Sequence, residues 1–378
     1  MIFISRTGSS HSQRMLLTLA MASGPFLSKA VTYYVDASAT GNGTGLSWAN
    51  AMTDLQEALS VSFFGDEIWV AAGQYRPTAT IDRTISFELR NGVDLYGGFD
   101  GTETAIDQRD IAANPTTLNG DIGQVGSSND NTYHVVRGDE ITSAIVVDGF
   151  RIVSGRSNSL GGGLYLTDAL TGEVRVRNCT FFSNHAPNYG GGVYIAAAKL
   201  VLEQCEFLNN TSSNGGAINN GNNNGGNSTL TVRDCRFSGN TAYQGACLYN
   251  SLSYADLLID RCTFTNNSSD VSIIDIDDFG SARLVNSYII GNTVDGSSSE
   301  VLYINSFGSG GGDAQVVNCT IAHNFNIWPN PLQQEIIRLE ETDYVVSNCV
   351  IFGNTPYNGR QLRSGPIVSD CLIEGGHP

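Results

Sequence analysis

Residues 179–184 read Cys-Thr-Phe-Phe-Ser-Asn, and the pattern returns at residues 205–210 as Cys-Glu-Phe-Leu-Asn-Asn. Further copies begin at these residues: Cys235, Cys262, Ser287, Cys319, Cys349 and Cys371, with an earlier one at Phe150. Successive copies start between 22 residues (349 to 371) and 32 residues (287 to 319) apart. A constant motif at a variable spacing predicts a repeat protein in which the insertions fall in loops.

The pattern of side chains around each copy predicts the path of the backbone. The residue three positions before the first residue of each motif is always aliphatic: Val147, Val176, Leu202, Val232, Ile259, Leu284, Val316, Val346 and Val368. The residue two positions after it is Phe or Ile. Side chains alternate between the two faces of a strand. The aliphatic residue, the first residue of the motif and the following Phe or Ile therefore cannot all point inward from one straight strand. The alternation therefore breaks just before the motif, where Asn or Asp often stands and tolerates a left-handed bend.

A third strand follows the asparagine of the motif and is often opened by glycines, as in Gly190-Gly191-Gly192-Val193-Tyr194. Three short strands per repeat are typical of a solenoid and not of a propeller blade or a helical repeat. The sequence therefore predicts an all-β fold: a single-stranded right-handed parallel β-helix with three short strands per coil and an N-terminal helical cap. Neighbouring coils should lie about 4.8 Å apart.

Three regions follow from the same reading. Residues 1–30 are predicted to be a signal peptide, because Arg14 precedes an apolar run and Ser28-Lys29-Ala30 fits a cleavage site before Val31. Residues 31–65 are predicted to form the N-terminal cap, with one amphipathic helix over residues 48–59. Residues 66–378 predict the β-helix, whose C-terminal end we expect to be uncapped and truncated, because the motif still runs close to the last residue.

Equivalent residues of stacked coils should form ladders along the axis. The cysteine ladder would comprise Cys179, Cys205, Cys235, Cys262, Cys319, Cys349 and Cys371. We expect mostly free thiols that pack as small hydrophobic groups, because stacked Cβ atoms lie farther apart than a disulfide prefers. The asparagine ladder would comprise Asn184, Asn210, Asn240, Asn267, Asn292, Asn324 and Asn354, whose amides would bond one another and the turn backbone.

The charge of the chain restricts its partners. Twenty basic and 37 acidic residues give 20 − 37 = −17, and such a surface repels nucleic acid. No stretch approaches the ~20 apolar residues that a membrane-spanning helix needs. An acidic chain with an export signal predicts a secreted or cell-surface protein.

Two groups of motifs resemble a known class of proteins. The string Gly215-Gly216-Ala217-Ile218 and the preceding Phe207 and Asn210 resemble the repeats of chlamydial polymorphic outer membrane proteins. Residues 65–75, 97–101 and 107–110 are similar to bacterial right-handed β-helix surface proteins. The resemblance implies an adhesin or an autotransporter passenger at the bacterial cell surface.

Four tyrosines are the candidate binding residues. Tyr165, Tyr194, Tyr249 and Tyr303 occupy similar outward positions on the third strand of four coils. Aromatic faces can stack on sugar rings or on the side chains of a protein partner. The alternative is a ladder of rings that only stabilises the sheet.

Asp275 and Asp277 are weaker candidates. Ile274 and Ile276 should point inward, which would place both carboxylates outward and about 7 Å apart. Such a pair could flank a glycosidic bond or bind Ca²⁺, although outward acids are more often simply solvated. No cofactor is otherwise predicted.

Three functions remain open. The first is a non-catalytic adhesin or stalk whose partners are glycans or components of host or neighbouring cell surfaces. The second is a polysaccharide lyase or glycoside hydrolase on the same scaffold. The third is a subunit of an extracellular assembly that associates end to end, or edge to edge, through the open C-terminal coil.

Overall fold

The computed structural model describes residues 30–221, 228–251, 256–277, 280–296, 299–305, 313–327, 335–340, 344–355, 361–363 and 365–375. The predicted signal peptide lies outside these residues, apart from Ala30.

The described residues form 35 strands. In the first part of the chain these are β1 (Thr32–Val35), β2 (Glu67–Ala71), β3 (Gly73–Tyr75), β4 (Phe87–Glu88), β5 (Asp94–Phe99), β6 (Thr116–Asn119), β7 (Val136–Asp139), β8 (Ile145–Asp148), β9 (Phe150–Val153), β10 (Leu164–Arg177) and β11 (Thr180–Phe182). The middle part contains β12 (Val193–Glu203), β13 (Glu206–Leu208), β14 (Thr211–Asn214), β15 (Ile218–Gly221), β16 (Thr229–Arg233), β17 (Arg236–Ser238), β18 (Thr241–Gln244), β19 (Leu248–Ser251), β20 (Asp256–Asp260), β21 (Thr263–Thr265), β22 (Ser268–Ser269) and β23 (Ser272–Asp277). The last part contains β24 (Ser281–Val285), β25 (Tyr288–Ile290), β26 (Thr293–Val294), β27 (Glu300–Asn305), β28 (Asp313–Val317), β29 (Thr320–Ala322), β30 (Phe325–Asn326), β31 (Ile337–Leu339), β32 (Val345–Ser347), β33 (Val350–Phe352), β34 (Ile367–Ser369) and β35 (Leu372–Ile373).

These strands stack in parallel into the walls of a solenoid. The strand before each motif pairs with its equivalent in the next coil, as along β16, β20, β24, β28, β32 and β34. The strand inside the motif forms a second stack that runs from β3 to β35. A short strand after the motif forms a third stack along β14, β18, β22, β26 and β30. The strand predicted as the third follows it and stacks along β15, β19, β23, β27 and β31. These five coils therefore have four strands, and the predicted number of three is wrong for them. The predicted fold class, an all-β parallel solenoid, is confirmed.

The corners of each coil are left-handed bends. The residue before each motif has a φ of 51° to 56° in eight coils: Asn178, Gln204, Asp234, Arg261, Asn286, Asn318, Asn348 and Asp370. This conformation reverses the side-chain alternation, so the aliphatic residue before the bend and the residues after it all point into the core. The predicted break in alternation is confirmed.

One apolar core fills the solenoid. It contains a stack of four phenylalanine rings, with centroids 4.7–4.9 Å apart between neighbouring coils: Phe181, Phe207, Phe237 and Phe264. Buried Ile289, Ile321 and Ile351 occupy the same position in later coils. The rings are nearly parallel because strand register places each above the next.

The N-terminal helix is shorter than the sequence predicted. Residues 48–50 form a short 3-10 helix (Trp48–Asn50), and the α-helix α1 spans Leu55–Val61. The α-helix begins there because the Asp54 side chain accepts a hydrogen bond from the Gln56 amide and caps it. Leu55, Ala58 and Leu59 pack on the same core as the first strands. A second 3-10 helix spans Ile106–Gln108.

No helix in the described ranges is long and apolar enough to cross a lipid bilayer.

Candidate functional site

The third-strand stack presents one row of outward positions, which we call the outer column. Strand register places nine residues in it, one per coil: Glu88, Arg137, Tyr165, Tyr194, Asn219, Tyr249, Asp275, Tyr303 and Arg338. All four predicted tyrosines therefore lie in one row. Asn219 and Asp275 lie between them, and arginines lie beyond each end of the tyrosine series. The sequence contains this signal, because each of these residues directly follows the inward apolar residue of its strand.

The tyrosines differ in how much of each ring is accessible. Tyr165, Tyr249 and Tyr303 are half-buried, whereas Tyr194 is 1% exposed. The Tyr194 ring stacks on the Tyr165 ring, with centroids 5.4 Å apart. The Tyr189 ring, from outside the outer column, stacks on the Tyr249 ring, with centroids 6.5 Å apart. The expectation that Tyr194 is presented to solvent is therefore wrong, because neighbouring side chains cover an outward position.

Asp275 is not solvated, contrary to the ordinary reading of an outward acid. The side chain has 0% exposure, and its Oδ2 accepts hydrogen bonds from Ser272 Oγ at 2.6 Å and Gln244 Nε2 at 3.1 Å. Oδ1 has no hydrogen-bond partner in the described part of the chain. Burial raises the pKa of Asp275 to about 6. Asp277 is partly exposed, so the two acids do not share one environment.

Glu300 and Arg338 join Asp275 in a cluster that sequence reasoning missed. Glu300 is 2% exposed and pairs in register with Ser272, the residue that donates to Asp275. Burial raises the pKa of Glu300 to about 8, although Arg338 opposes the shift with its Nη1 at 3.3 Å from Oε1. The Arg338 guanidinium also lies 5.5 Å from the centroid of the Tyr303 ring. We call Asp275, Glu300 and Arg338 the acidic cluster; only the coil register reveals it, because its members lie far apart in sequence.

A cleft of about 340 Å³ opens at the N-terminal end of the tyrosine series. Tyr133, His134, Arg137 and Tyr165 line it together with Thr84 and residues 157–160, among which Asn158 is exposed. The His134 ring lies 4.6 Å from the Tyr165 ring, and its Nδ1 lies 2.6 Å from the Gly161 carbonyl oxygen. Burial lowers the pKa of His134, so the ring is neutral at pH 7. Aromatic faces and polar groups thus converge on one concave surface.

The predicted asparagine ladder residues are all buried at one corner of the solenoid. From Asn184 to Asn354 each Nδ2 donates to the Oδ1 of the next asparagine at 2.9–3.1 Å. Each Nδ2 also donates to a backbone carbonyl of the preceding coil at 2.8–3.1 Å. The row ends on Gln361, whose Oε1 accepts from Asn354 at 2.8 Å. These amides are fully engaged with the fold.

The predicted cysteine ladder lies at the next corner. All seven of its thiols are free, as is that of Cys247 outside the ladder, and the Sγ of Cys235 accepts from the amide of Cys205 at 3.4 Å. Ser287 fills the one gap in the ladder, and its Oγ accepts from the Cys262 amide at 3.0 Å. Desolvation raises the pKa of the buried Cys179 to about 12, which makes this thiol a poor nucleophile. In the described residues no three His, Cys, Asp or Glu side chains form a group that could hold a metal ion.

Comparison with known proteins identifies the fold. Residues 125–294 match the family model described as a right handed beta helix region. A rhamnogalacturonan lyase structure has a TM-score of 0.50 and 13% identity, over 92% of this chain and 87% of that chain. PfbA, a surface adhesin of Streptococcus pneumoniae, has a TM-score of 0.42 and 12% identity, over 93% of both chains.

One curated sequence relative is the metabotropic glutamate receptor-like protein P of Dictyostelium discoideum. It is 25% identical over 252 residues, which are 62% of this chain and 16% of that protein. The chain therefore spans about a sixth of the length of this relative. Together with the strand register, the comparisons show that this chain has the right-handed parallel β-helix fold.

Proposed function

We propose that this protein is a secreted or cell-surface β-helix that binds glycans along its outer column, as an adhesin or a related binding module. The observation that carries the proposal is the alignment of three half-buried tyrosines, Tyr165, Tyr249 and Tyr303, in one row with Arg137 and Arg338. Tyrosine faces stack on the apolar faces of sugar rings, and guanidinium groups donate to hydroxyl oxygens. A row of such groups matches a linear chain of sugars.

Asn219 supports a polar ligand on the same face. The residue is 1% exposed, and both polar atoms of its amide lack a hydrogen-bond partner within the described residues. A buried amide without partners costs about 1–3 kcal/mol, so a ligand hydroxyl or a bridging water that satisfies it would be stabilised.

A glycan-binding screen of the purified protein tests the proposal. We expect binding to at least one oligosaccharide and a loss of about tenfold in affinity in a Tyr249→Ala/Tyr303→Ala variant, because two ring contacts are removed. The matched control is Tyr243→Ala/Tyr288→Ala, which removes two exposed rings outside the outer column. Equal losses in both variants, or no binding by the unaltered protein, would contradict the proposal.

The acidic cluster favours a second candidate, a polysaccharide lyase or glycoside hydrolase. With a pKa of about 8 Glu300 is mostly protonated at pH 7, whereas Asp275, at about 6, is mostly ionised. Carboxyl groups whose pKa values are separated in this way can serve as acid and base. Release of reducing ends from a bound glycan, abolished by Glu300→Gln, would establish this activity. Binding without release of reducing ends would leave the binding module as the function.

The cellular location belongs to the same proposal. It rests on the signal-like residues 1–30 and on the acidic composition of the chain. The resemblance to chlamydial polymorphic outer membrane proteins, the bacterial source and the absence of nucleic acid partners stay predictions.

A further inference from the structure

We infer that the cleft beside Tyr165 is a subsite for one uncharged pyranose unit and prefers a neutral sugar to a uronate. This inference rests on the proposed glycan-binding function and adds to it the first contact point and the chemical class of the sugar. Three features of the cleft carry it: a fixed aromatic platform, a cation that already has acidic partners and a neutral imidazole acceptor.

The aromatic platform is held in place before any ligand arrives. Tyr165 packs on Tyr194 at 5.4 Å and on His134 at 4.6 Å, while the Arg83 guanidinium lies 4.4 Å from the centroid of the Tyr133 ring. Side chains that are already immobilised lose little entropy on binding, so more of the stacking energy contributes to affinity. The cleft volume of about 340 Å³ lies at the small end of ligand sites and suits a single ring.

The one cation in the lining of the cleft already has acidic partners. Arg137 is the one guanidinium among the described residues that line it. Its Nη2 lies 2.8 Å from Asp139 Oδ2, and its Nη1 lies 3.8 Å from Glu88 Oε1. A uronate carboxylate would therefore meet a cation that two acids already neutralise, on a chain with a net charge of −17. The Arg137 guanidinium instead offers its remaining N–H groups as donors to sugar hydroxyls.

His134 adds an acceptor without adding charge. A carbonyl oxygen only accepts hydrogen bonds, so the 2.6 Å contact with Gly161 places a proton on Nδ1. In the neutral ring Nε2 is then an acceptor. Burial and the nearby Arg137 lower the pKa of His134, which keeps the ring from becoming the cation that a uronate would need. A sugar hydroxyl can donate to Nε2, whereas a carboxylate cannot.

Calorimetric titration tests the inference with paired probes. The probes are glucan, mannan and galactan oligosaccharides, each compared with the same oligosaccharide after oxidation of C6 to a carboxylate. We expect at least one neutral probe to bind the full chain and its oxidised counterpart to bind at least tenfold more weakly. Equal or tighter binding of the oxidised probe would overturn the neutral preference.

Two variants locate the binding in the cleft. His134→Asn keeps a donor for the Gly161 carbonyl but removes the acceptor at Nε2, and Asn158→Trp adds bulk at the exposed rim. We expect each to weaken the neutral probe about tenfold at an unchanged melting temperature. The matched control is His185→Asn, whose half-buried ring bonds Thr211 through Nδ1 outside the cleft.

The outcomes separate this inference from the proposed function. If both cleft variants bind normally while Tyr249→Ala/Tyr303→Ala binds weakly, the outer column binds glycan and the cleft is not a subsite. If no probe binds the unaltered protein, the glycan-binding function fails together with the subsite.

Discussion

Asn240 shows how one side chain connects three coils. Its Oδ1 accepts from the backbone amide and the Nδ2 of Asn210, both at 3.0 Å. Its Nδ2 donates to the Phe207 carbonyl at 2.8 Å and to Asn267 Oδ1 at 3.0 Å. Each of these groups is buried, so none can bond water instead. An asparagine is needed here because it alone supplies a short acceptor and donor in one plane.

Replacement of this residue should therefore destabilise the fold strongly. Asn240→Ala leaves the Asn210 amide and the Phe207 carbonyl without their partner, and we expect a loss of about 3 kcal/mol in the free energy of unfolding. Urea denaturation followed by circular dichroism measures the loss. Asn188→Ala, at an exposed asparagine, should change it by no more than about 0.5 kcal/mol. Comparable losses in the two variants would show that the ladder adds nothing beyond local structure.

Buried carboxyls should make the stability of the protein depend on pH in an unusual direction. The pKa of Asp275 is raised to about 6 and that of Glu300 to about 8, so both groups bind protons more tightly in the folded than in the unfolded state. Their contribution to stability is complete at acid pH and is lost as the pH rises through these values. The lowered pKa values of His134 and His185 act in the opposite sense, below about pH 6.5.

The melting temperature should therefore fall between pH 6.5 and pH 8, where Glu300 releases its proton. Glu300→Gln removes this titration, and its melting temperature should change less over the same interval. The difference between the two curves isolates the contribution of Glu300 from those of the histidines. Parallel curves would show that Glu300 titrates with an ordinary pKa.

The left-handed bend is the element that sets the shape of each coil, and its residues tolerate it unequally. Asparagine and aspartate adopt this conformation at modest cost, whereas longer side chains are strained. Gln204 occupies one such bend with a φ of 54°, and its side chain is exposed. This bend therefore stores strain that a glycine would release.

We expect Gln204→Gly to raise the free energy of unfolding by about 0.5–1 kcal/mol. The same change within a strand should have the opposite sign, so Thr180→Gly should lower it by about 1 kcal/mol. Denaturant titration of both variants measures the two shifts. Destabilisation by Gln204→Gly would mean that the bend is not strained.

The elements differ in how far the sequence predicted them. The bends and the asparagine row follow from local rules, because the aliphatic residues and Phe207 reveal where the side-chain alternation breaks. The burial of Tyr194 and Asp275 does not, because it depends on side chains such as Gln244 that reach over from neighbouring coils. The predicted helix starts too early in the chain, because apolar spacing alone does not show the N-terminal cap at Asp54.

At the scale of the whole molecule the solenoid is additive, since each coil contacts mainly the coils next to it. Residues 179–204 form one complete coil, from one motif to the next, and Thr180 pairs directly with Glu206. Deletion of this coil would join Asn178 to Cys205 at an equivalent bend.

We expect the deletion variant to fold with an unchanged strand signal per residue in circular dichroism and to unfold cooperatively. A variant deleted by half a coil, 179–191, should fail to fold, because it would shift every later side chain out of its ladder. Loss of structure in the full-coil deletion would show that the coils are not equivalent.

The bonds between coils also determine how the molecule would respond to a pull on its two ends. They run along the axis, because the strands lie across it and pair only with neighbouring coils. Tension along the axis would therefore peel the outermost coil from its single neighbour before an inner coil, which is paired on both sides, detaches. Each coil of 22 to 32 residues would release roughly 75–110 Å of extended chain, while the solenoid shortens by only about 4.8 Å. A protein built in this way would extend in steps under tension, and each step would dissipate mechanical work.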